Sequence, residues 1–485
     1  MEIVLGYIES LAFWRAHRIA NNPIAMSRNP ILRDVYPSLE YRERAIHADA
    51  SPHRSVPPIS FNEHNRIPLT AIKNYIAYEL NPYTLCEEYL NRARNTSAYT
   101  IGSMLACNRY NRISCEHSSN SANFSANRAI SDSDAAAFSP DISANRASRH
   151  RTQTRTAFTP YERLHAVRFV PEISETSALH IIVPRSQRGL SQTKKQITYI
   201  NSALPHDSLY KLFIRADERN SFGLPDSLSL YIISPELVVL LASQNLRKLC
   251  LENACSAPGC FMRNRAKLLF THNVASLVNE LCGRYGLDPL TALGSTYGLD
   301  PLTSVQKIKR YADKMKGIHG RSNLLAALDC CYDNLASTFE GVVASALMLP
   351  AAMGGIKFPP LEINKTRKLS ASALLTPHHH SITPDLSSKK HKLVIECNGL
   401  EFHRSDEAIK EDHRRLRDYV SHNERHIPLT VSDIKNPLAL CRVLEEIVAA
   451  CHDTLGASKA FHLRQTIHNA KYQKVRQIML DLQMF

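Results

Sequence analysis

The sequence lacks any apolar run long enough to cross a membrane. A transmembrane helix needs about 20 consecutive apolar residues, and the two longest candidates, 228–243 and 341–355, are interrupted by Pro235 and Pro350. The first ten residues, MEIVLGYIES, contain two glutamates and no basic residue, unlike the positively charged start of a secretory signal peptide. We therefore expect a cytoplasmic protein with no membrane association.

A disulfide framework and a complete zinc motif are also missing. The twelve cysteines are expected to be reduced thiols, because nothing in the sequence indicates secretion. Cys250, Cys255 and Cys260 recur every five residues, whereas zinc sites use two pairs, each separated by about two to four residues. Ordinary thiols are the simpler interpretation and zinc is the alternative. A solvated loop or a metal site are likewise the two interpretations of the run 378–380, HHH.

No block of a single charge sign stands out. Lys and Arg total 59 against 45 Asp and Glu, which gives a net charge of +14 spread along the chain. A basic protein favours an acidic partner such as nucleic acid, and solubility alone is the alternative. Hydrophobic residues make up 44% of the chain, which excludes a fibrous or wholly disordered protein.

Composition and periodicity divide the chain into five segments. Residues 1–112 are helical and irregular. Residues 113–157 are rich in Ser, Ala and Asn, with the word SANRA twice, and are expected to be a disordered insert. Residues 158–334 form a mostly helical middle domain with a few strands, 335–452 a second α/β domain, and 453–485 a basic C-terminal helix. The predicted fold class is α+β with several domains.

Local signals within the middle domain are clear. The run 228–233 predicts a strand, and Ser234 with Pro235 predicts the N-cap and first position of a helix. The word YGLDPLT occurs at 285–291 and again at 297–303. We interpret it as a tandem duplication in a loop, of which the fold needs one copy.

Residues 382–418 contain the pattern that indicates chemistry. Asp385 precedes a turn, and the predicted strand 392–398 ends in Glu396 and Asn398. A hairpin would bring Asp385 and Glu396 side by side as hard oxygen ligands for Mg²⁺, which activates water and stabilises charge on a phosphate. His403 could then donate to a phosphate or transfer a proton. The alternatives are a plain turn residue at Asp385 and a surface residue at His403.

This order of residues resembles the PD-(D/E)XK nuclease superfamily, and most closely the branch related to very short patch repair endonucleases, over about 335–450. The resemblance implies a restriction-endonuclease-like core, a mixed sheet flanked by helices. It implies that Asp385 and Glu396 bind the metal and that Glu340, on the first helix, reaches it. Catalytic roles would fall to Asp385, Glu396, Asn398, Glu340 and His403.

Further elements of the resemblance lie downstream. The charged helix 408–420 carries Arg414, Arg415 and Arg417, which would contact nucleic acid; a solvated helix face is the alternative. The runs 426–431 and 438–450 match the last strand and the last helix of the core.

The resemblance implies a Mg²⁺- or Mn²⁺-dependent DNA endonuclease in phage defence or mobile-element biology. Asn398 departs from the pattern, because the superfamily has Lys there and many relatives have Asp. Lys392 is about 13 Å from Glu396 along an extended strand, so neither Lys392 nor Lys390 replaces the missing lysine without a bulge. The alternative is a catalytically decayed nuclease fold that acts as a nucleic-acid-binding regulator or antitoxin-like module.

The middle domain and the C-terminal segment add two expectations. The middle domain is similar to abortive-infection antitoxin-type proteins of actinobacteria, which implies a protein partner in a defence or toxin–antitoxin system. In the segment 456–485, five basic groups accompany one acid, and apolar residues recur at helical spacing. A helix that covers the core or a helix that contacts phosphates are the two interpretations.

Overall fold

The computed structural model describes residues 2–20, 22, 47–48, 71–72, 181–184, 197–200, 208–212, 214, 216–255, 262–287, 295–318, 320–368, 381–398, 419 and 423–483. The insert predicted at 113–157 lies outside these residues. The described chain is α+β, with most of its residues in helices and its strands in small sheets. Among the described helices, none is long and apolar enough to cross a membrane.

A six-stranded mixed sheet organises the first hydrophobic core. Its elements are β1 (Glu2–Leu5), α1 (Tyr7–Ala20), β2 (His47–Ala48), β3 (Ile181–Pro184), β4 (Ile197–Ile200), β5 (Leu209–Lys211), α2 (Ala216–Phe222) and β6 (Ser229–Ile233). The strand order is β2-β5-β6-β1-β3-β4, and β1 runs parallel to β6. The single tryptophan, Trp14 of α1, is buried against this sheet and donates its indole N–H to the Ile233 carbonyl at 2.8 Å.

Two long helices cover this core. They are α3 (Pro235–Cys255) and α4 (Met262–Cys282). The predicted start of α3 is confirmed: Pro235 is its first residue, and the Leu237 backbone N–H donates to the Ser234 hydroxyl at 3.3 Å. Leu237, Val238, Val239 and Leu240 are fully buried, because this helix packs against both α1 and α4.

The two YGLDPLT copies have different environments. They enter a hairpin of β7 (Tyr285–Leu287) and β8 (Ser295–Tyr297), in which Tyr285 of the first copy pairs with Tyr297 of the second. Within the second copy, Leu299 is fully buried and the Thr303 hydroxyl contacts Glu236. The described residues of both copies thus take part in the hairpin, and that the fold needs only one copy stays a prediction.

Three helices connect the first core to a four-stranded sheet. They are α5 (Val305–Lys314), α6 (Arg321–Leu328) and α7 (Thr338–Met348). The following strands are β9 (Glu362–Ile363), β10 (Arg367–Lys368), β11 (Ser381–Ile382), β12 (Leu386–Ser388), β13 (Leu393–Asn398) and β14 (Arg425–Thr430). The sheet has the order β14-β13-β12-β9, in which β9, β12 and β13 are antiparallel neighbours and β14 runs parallel to β13.

The predicted helix and strands of this region are present. Helix α7 begins after the N-cap Ser337, strand β13 ends at Asn398, and the last strand is β14. The last helix of the predicted core is α8 (Pro437–Ala450). Leu393 and Ile395 on one face of β13 join a second core with α7 and α8, as expected from the alternation of side chains along a strand.

The C-terminal segment forms more than one helix. After α8 come α9 (His452–Leu455), α10 (Ala457–His468) and α11 (Ala470–Gln483). The periodicity predicted a single helix, but the chain breaks at Asn469, which has an extended conformation. Arg476 of α11 is fully buried and donates to the carbonyls of Ile467 at 2.7 Å and Thr466 at 2.9 Å. The guanidinium thereby satisfies the free carbonyls at the end of α10.

Candidate functional site

The register of the β12–β13 hairpin brings two acidic residues opposite each other. Leu386 pairs with Ile395, so Asp385, one residue earlier, faces Glu396 across the hairpin. The Cys397 backbone N–H donates to the Asp385 carboxylate at 2.6 Å, and the Asn364 N–H donates to the Asp385 carbonyl at 2.9 Å. The side-by-side arrangement that the sequence predicted for Asp385 and Glu396 is therefore present in the backbone register.

Glu396 lies on the face of β13 that points away from the second core. It is 6% exposed, and its carboxylate accepts a hydrogen bond from the Tyr419 hydroxyl. Tyr419 is fully buried, with Val394 and Ile382 beside it. A carboxylate on an otherwise apolar strand needs such a partner to offset its loss of hydration.

Tyr419 belongs to a packed group that the sequence did not reveal. Its ring stacks on His426 with a centroid separation of 5.1 Å, and the Arg367 guanidinium lies 5.1 Å from the ring centroid. Arg367 also forms a two-pronged ion pair with the buried Glu424. The only sequence signal was an aromatic residue within the charged segment 408–420. This group fixes the position of the hydroxyl that holds Glu396.

Glu340 enters the same site from α7. Its backbone N–H donates to the Ser337 hydroxyl at 3.1 Å, and the Ser337 hydroxyl donates to the Glu340 carboxylate at 3.0 Å. The Ala336 N–H at 2.8 Å and the Asn364 amide at 2.6 Å donate to the other carboxylate oxygen. Because Asn364 also donates its backbone N–H to Asp385, this asparagine links Glu340 to Asp385.

The charge state of Glu340 reflects its surroundings. Burial and, after it, the nearby charge of Asp385 together raise the pKa of Glu340 to about 7, against three hydrogen bonds that lower it. All three donors are neutral groups. Asn364 has a φ of 47°, a left-handed conformation that asparagine tolerates better than most residues. The backbone at Asn364 thus holds the amide that links the two acids.

The pKa of the Cys397 thiol is affected by three acidic side chains. Burial raises the pKa of Cys397 well above its usual value, and the charges of Asp385, Glu340 and Glu396 raise it further. Negative charge therefore converges at this end of the hairpin. The sequence predicted the three acids, but not Asn364, Tyr419 or the position of Cys397 among them.

The remaining predicted site residues have different outcomes. Asn398 is the last residue of β13, half-buried and paired with Thr430 of β14. Lys390 and Lys392 are exposed at the hairpin turn, at the opposite end of β13 from Asn398, so neither replaces the missing lysine. His403, Arg414, Arg415 and Arg417 lie outside the described residues, as do Cys260 and 378–380, whereas Cys250 is buried in the first core.

The donor types at the hairpin end suit a hard divalent cation. Mg²⁺ is usually held by one or two carboxylates together with waters and substrate phosphates, rather than by a complete protein cage. Among the described residues, no group of three or more His, Cys, Asp or Glu side chains is arranged to enclose a metal ion. Asp385 and Glu396 could supply the two carboxylates that a Mg²⁺ site needs, since they lie opposite each other on adjacent strands.

The chain was compared with protein families, with curated proteins and with solved structures, and none of them matches it.

Proposed function

We propose that Asp385 and Glu396 bind a divalent cation, Mg²⁺ or Mn²⁺, and that the chain is a metal-dependent DNA endonuclease. The observation that carries the proposal is the convergence of Glu340, Asp385 and Glu396 at one end of the β12–β13 hairpin. The order α7, β9, β12, β13, β14 and α8 supports the resemblance to PD-(D/E)XK nucleases. A role in phage defence or mobile-element biology rests on the resemblance alone.

Each side chain of the site would have a separate role. A bound metal would polarise the phosphate and activate a water molecule. Asp385 and Glu396 would hold it, while Tyr419 fixes one oxygen of Glu396 and the Cys397 N–H fixes one oxygen of Asp385. Glu340, with a pKa of about 7, can hold or release a proton near neutral pH. Asn398 can offer an amide oxygen but cannot act as a base.

A catalytically decayed nuclease fold that binds nucleic acid or a protein partner is the second candidate. Two observations favour it. Asn398 occupies the position of the superfamily's lysine, and both metal-binding candidates already accept internal hydrogen bonds. On this interpretation the resemblance of the middle domain to antitoxin-type proteins would reflect a regulatory partner.

Cleavage assays separate the two candidates. The full-length protein is incubated with plasmid DNA, single-stranded DNA and RNA, with Mg²⁺, with Mn²⁺ or with EDTA. We expect metal-dependent cleavage that Asp385→Ala abolishes and that Asp329→Ala, which removes an exposed carboxylate elsewhere, leaves unchanged. Asn398→Asp adds a negative ligand and should increase cleavage. No cleavage by either wild type or Asn398→Asp would contradict the endonuclease proposal and leave the decayed fold.

A further inference from the structure

Helix α10 exposes an aromatic residue beside an arginine. Its buried side consists of Ala460, Leu463 and Ile467. The opposite side carries Phe461, Arg464, Gln465 and His468, all exposed and spaced at i, i+3, i+4 and i+7, so they share one face. We call these four residues the outer face of α10. Phe461 is 58% exposed, and Leu438 is the only other large hydrophobic residue of comparable exposure in the described chain.

Helices α10 and α11 expose four cations, Lys459, Arg464, Lys471 and Lys474. None of the four forms an ion pair in the part of the chain that the structure describes. Residues 456–483 contain a single acid, Asp481, which accepts from Gln477 at 2.7 Å. His468 instead contacts Glu445 of α8. Arg464 is therefore the cation best placed to meet a ligand beside Phe461.

We propose that the outer face of α10 binds single-stranded nucleic acid, with Phe461 stacked on a base and Arg464 against a phosphate. Single-strand binding surfaces combine exposed aromatic rings with a positive path for the backbone. A duplex offers no unstacked base to such a ring. The proposal does not depend on the carboxylates and goes beyond the proposed cleavage.

Binding to a fluorescein-labelled 20-nucleotide oligo-dT, measured by anisotropy in EDTA, tests the stacking role. We expect wild type to bind oligo-dT more tightly than a duplex of equal length. Phe461→Ala should weaken oligo-dT binding about 5- to 150-fold, the range for loss of one stacked base. The matched control Leu438→Ala removes the other exposed hydrophobic residue and should change the Kd less than twofold. Equal losses in both variants, or none in Phe461→Ala, would overturn the proposal.

A second pair of variants tests the charge. Lys459 lies about 200° around the helix from Phe461, so Lys459→Ala and Arg464→Ala remove the same charge from opposite flanks. Arg464→Ala should weaken binding more, and should reduce the slope of log Kd against log salt by about 0.7, the value for one phosphate contact. Equal effects of the two variants would indicate diffuse attraction and contradict a defined surface.

A further variant distinguishes base stacking from contact between copies. Phe461→Trp keeps a stacking ring, so it should bind like wild type, and its added fluorescence should be quenched by oligo-dT. Binding is measured in EDTA, where no metal can occupy Asp385 and Glu396, so a failure of the cleavage proposal leaves this one testable. If Phe461→Ala instead lowers the sedimentation mass of the protein and leaves oligo-dT binding intact, the face is a contact between copies and the proposal is wrong.

Discussion

Two buried glutamates in this chain have opposite surroundings. Glu280 of α4, in the first core, is 1% exposed and accepts from Arg15 through both carboxylate oxygens, at 2.7 and 2.6 Å. Glu340 of α7, in the second core, is 4% exposed and accepts only from neutral donors, with Asp385 nearby. Equal burial therefore accompanies an ion pair in one case and, among the residues that the structure describes, only neutral hydrogen-bond donors in the other.

The first arrangement is structural. A second buried arginine, Arg18, donates to the Glu280 and Tyr285 carbonyls at 2.9 and 3.0 Å, and burial lowers its pKa to about 10. These bonds tie α1 to the end of α4 and to β7. The charge of Glu280 is thus balanced by Arg15, and no external ion is needed to balance it.

The surroundings of Glu340 suit the divalent-cation site proposed above. Glu340 lies close enough to Asp385 for the charge of Asp385 to raise its pKa, and the divalent ion proposed above would relieve repulsion between such carboxylates. The two glutamates differ in the charge of their neighbours and not in burial, so burial alone does not distinguish a structural carboxylate from a candidate site residue.

The largest expected effect tests the structural half of the comparison. Arg15→Met leaves the Glu280 charge buried without its guanidinium, so the free energy of unfolding, measured by urea denaturation, should fall by about 3–5 kcal/mol. Adding Glu280→Gln should recover much of the loss, because the buried charge is then removed. The control Lys309→Met breaks an exposed pair with Asp329 and should cost less than about 1 kcal/mol. A loss that small in Arg15→Met would contradict the assignment.

A pH profile tests the other half. Because the folded-state pKa of Glu340 is raised from 4.5 to about 7, the folded state favours the protonated acid. Its stabilisation is complete below about pH 4.5 and is lost as the pH rises through about 7. Wild type should therefore lose up to about 3 kcal/mol relative to Glu340→Gln between pH 4.5 and pH 8. Parallel profiles of unfolding free energy for the two proteins would refute the raised pKa of Glu340.

The smallest expected effect concerns the hydroxyl that holds Glu396. Tyr419→Phe keeps the buried ring between its neighbours but removes the donor to Glu396. The unfolding free energy should fall by about 1–2 kcal/mol. His426→Ala removes the stacked ring instead and separates the loss of packing from the loss of the hydrogen bond. An unchanged Tyr419→Phe melting temperature would mean that the bond contributes nothing.

Local signals predicted much of the fold. Ser234 identified a helix start, and Glu396 within an apolar run identified both a strand and a charge that needs a partner. The partners themselves were not predictable, because they join distant positions. Arg15 and Glu280 are 265 residues apart, and Tyr419 reaches Glu396 from 23 residues away.

The positive φ of Asn364 is a further example of what the sequence does not contain. The link from this residue to Glu340 and Asp385 follows from a turn whose shape depends on β9 and β12. Likewise, the repeated word YGLDPLT did not predict that its two copies would pair with each other through Tyr285 and Tyr297. Sequence predicts such features only where the interaction is local.

The most direct test of the proposed metal site is the melting temperature with and without millimolar Mg²⁺ or Mn²⁺ at pH 8. A ligand at a hundredfold excess over its Kd stabilises the folded state by about 2.7 kcal/mol. We therefore expect a clear rise for wild type, a smaller rise at pH 5.5 where Glu340 is protonated, and no rise for Asp385→Asn. The control Asp329→Asn should respond as wild type does. A wild-type melting temperature unchanged by both metals at pH 8, or an equal rise in Asp385→Asn, would contradict the account.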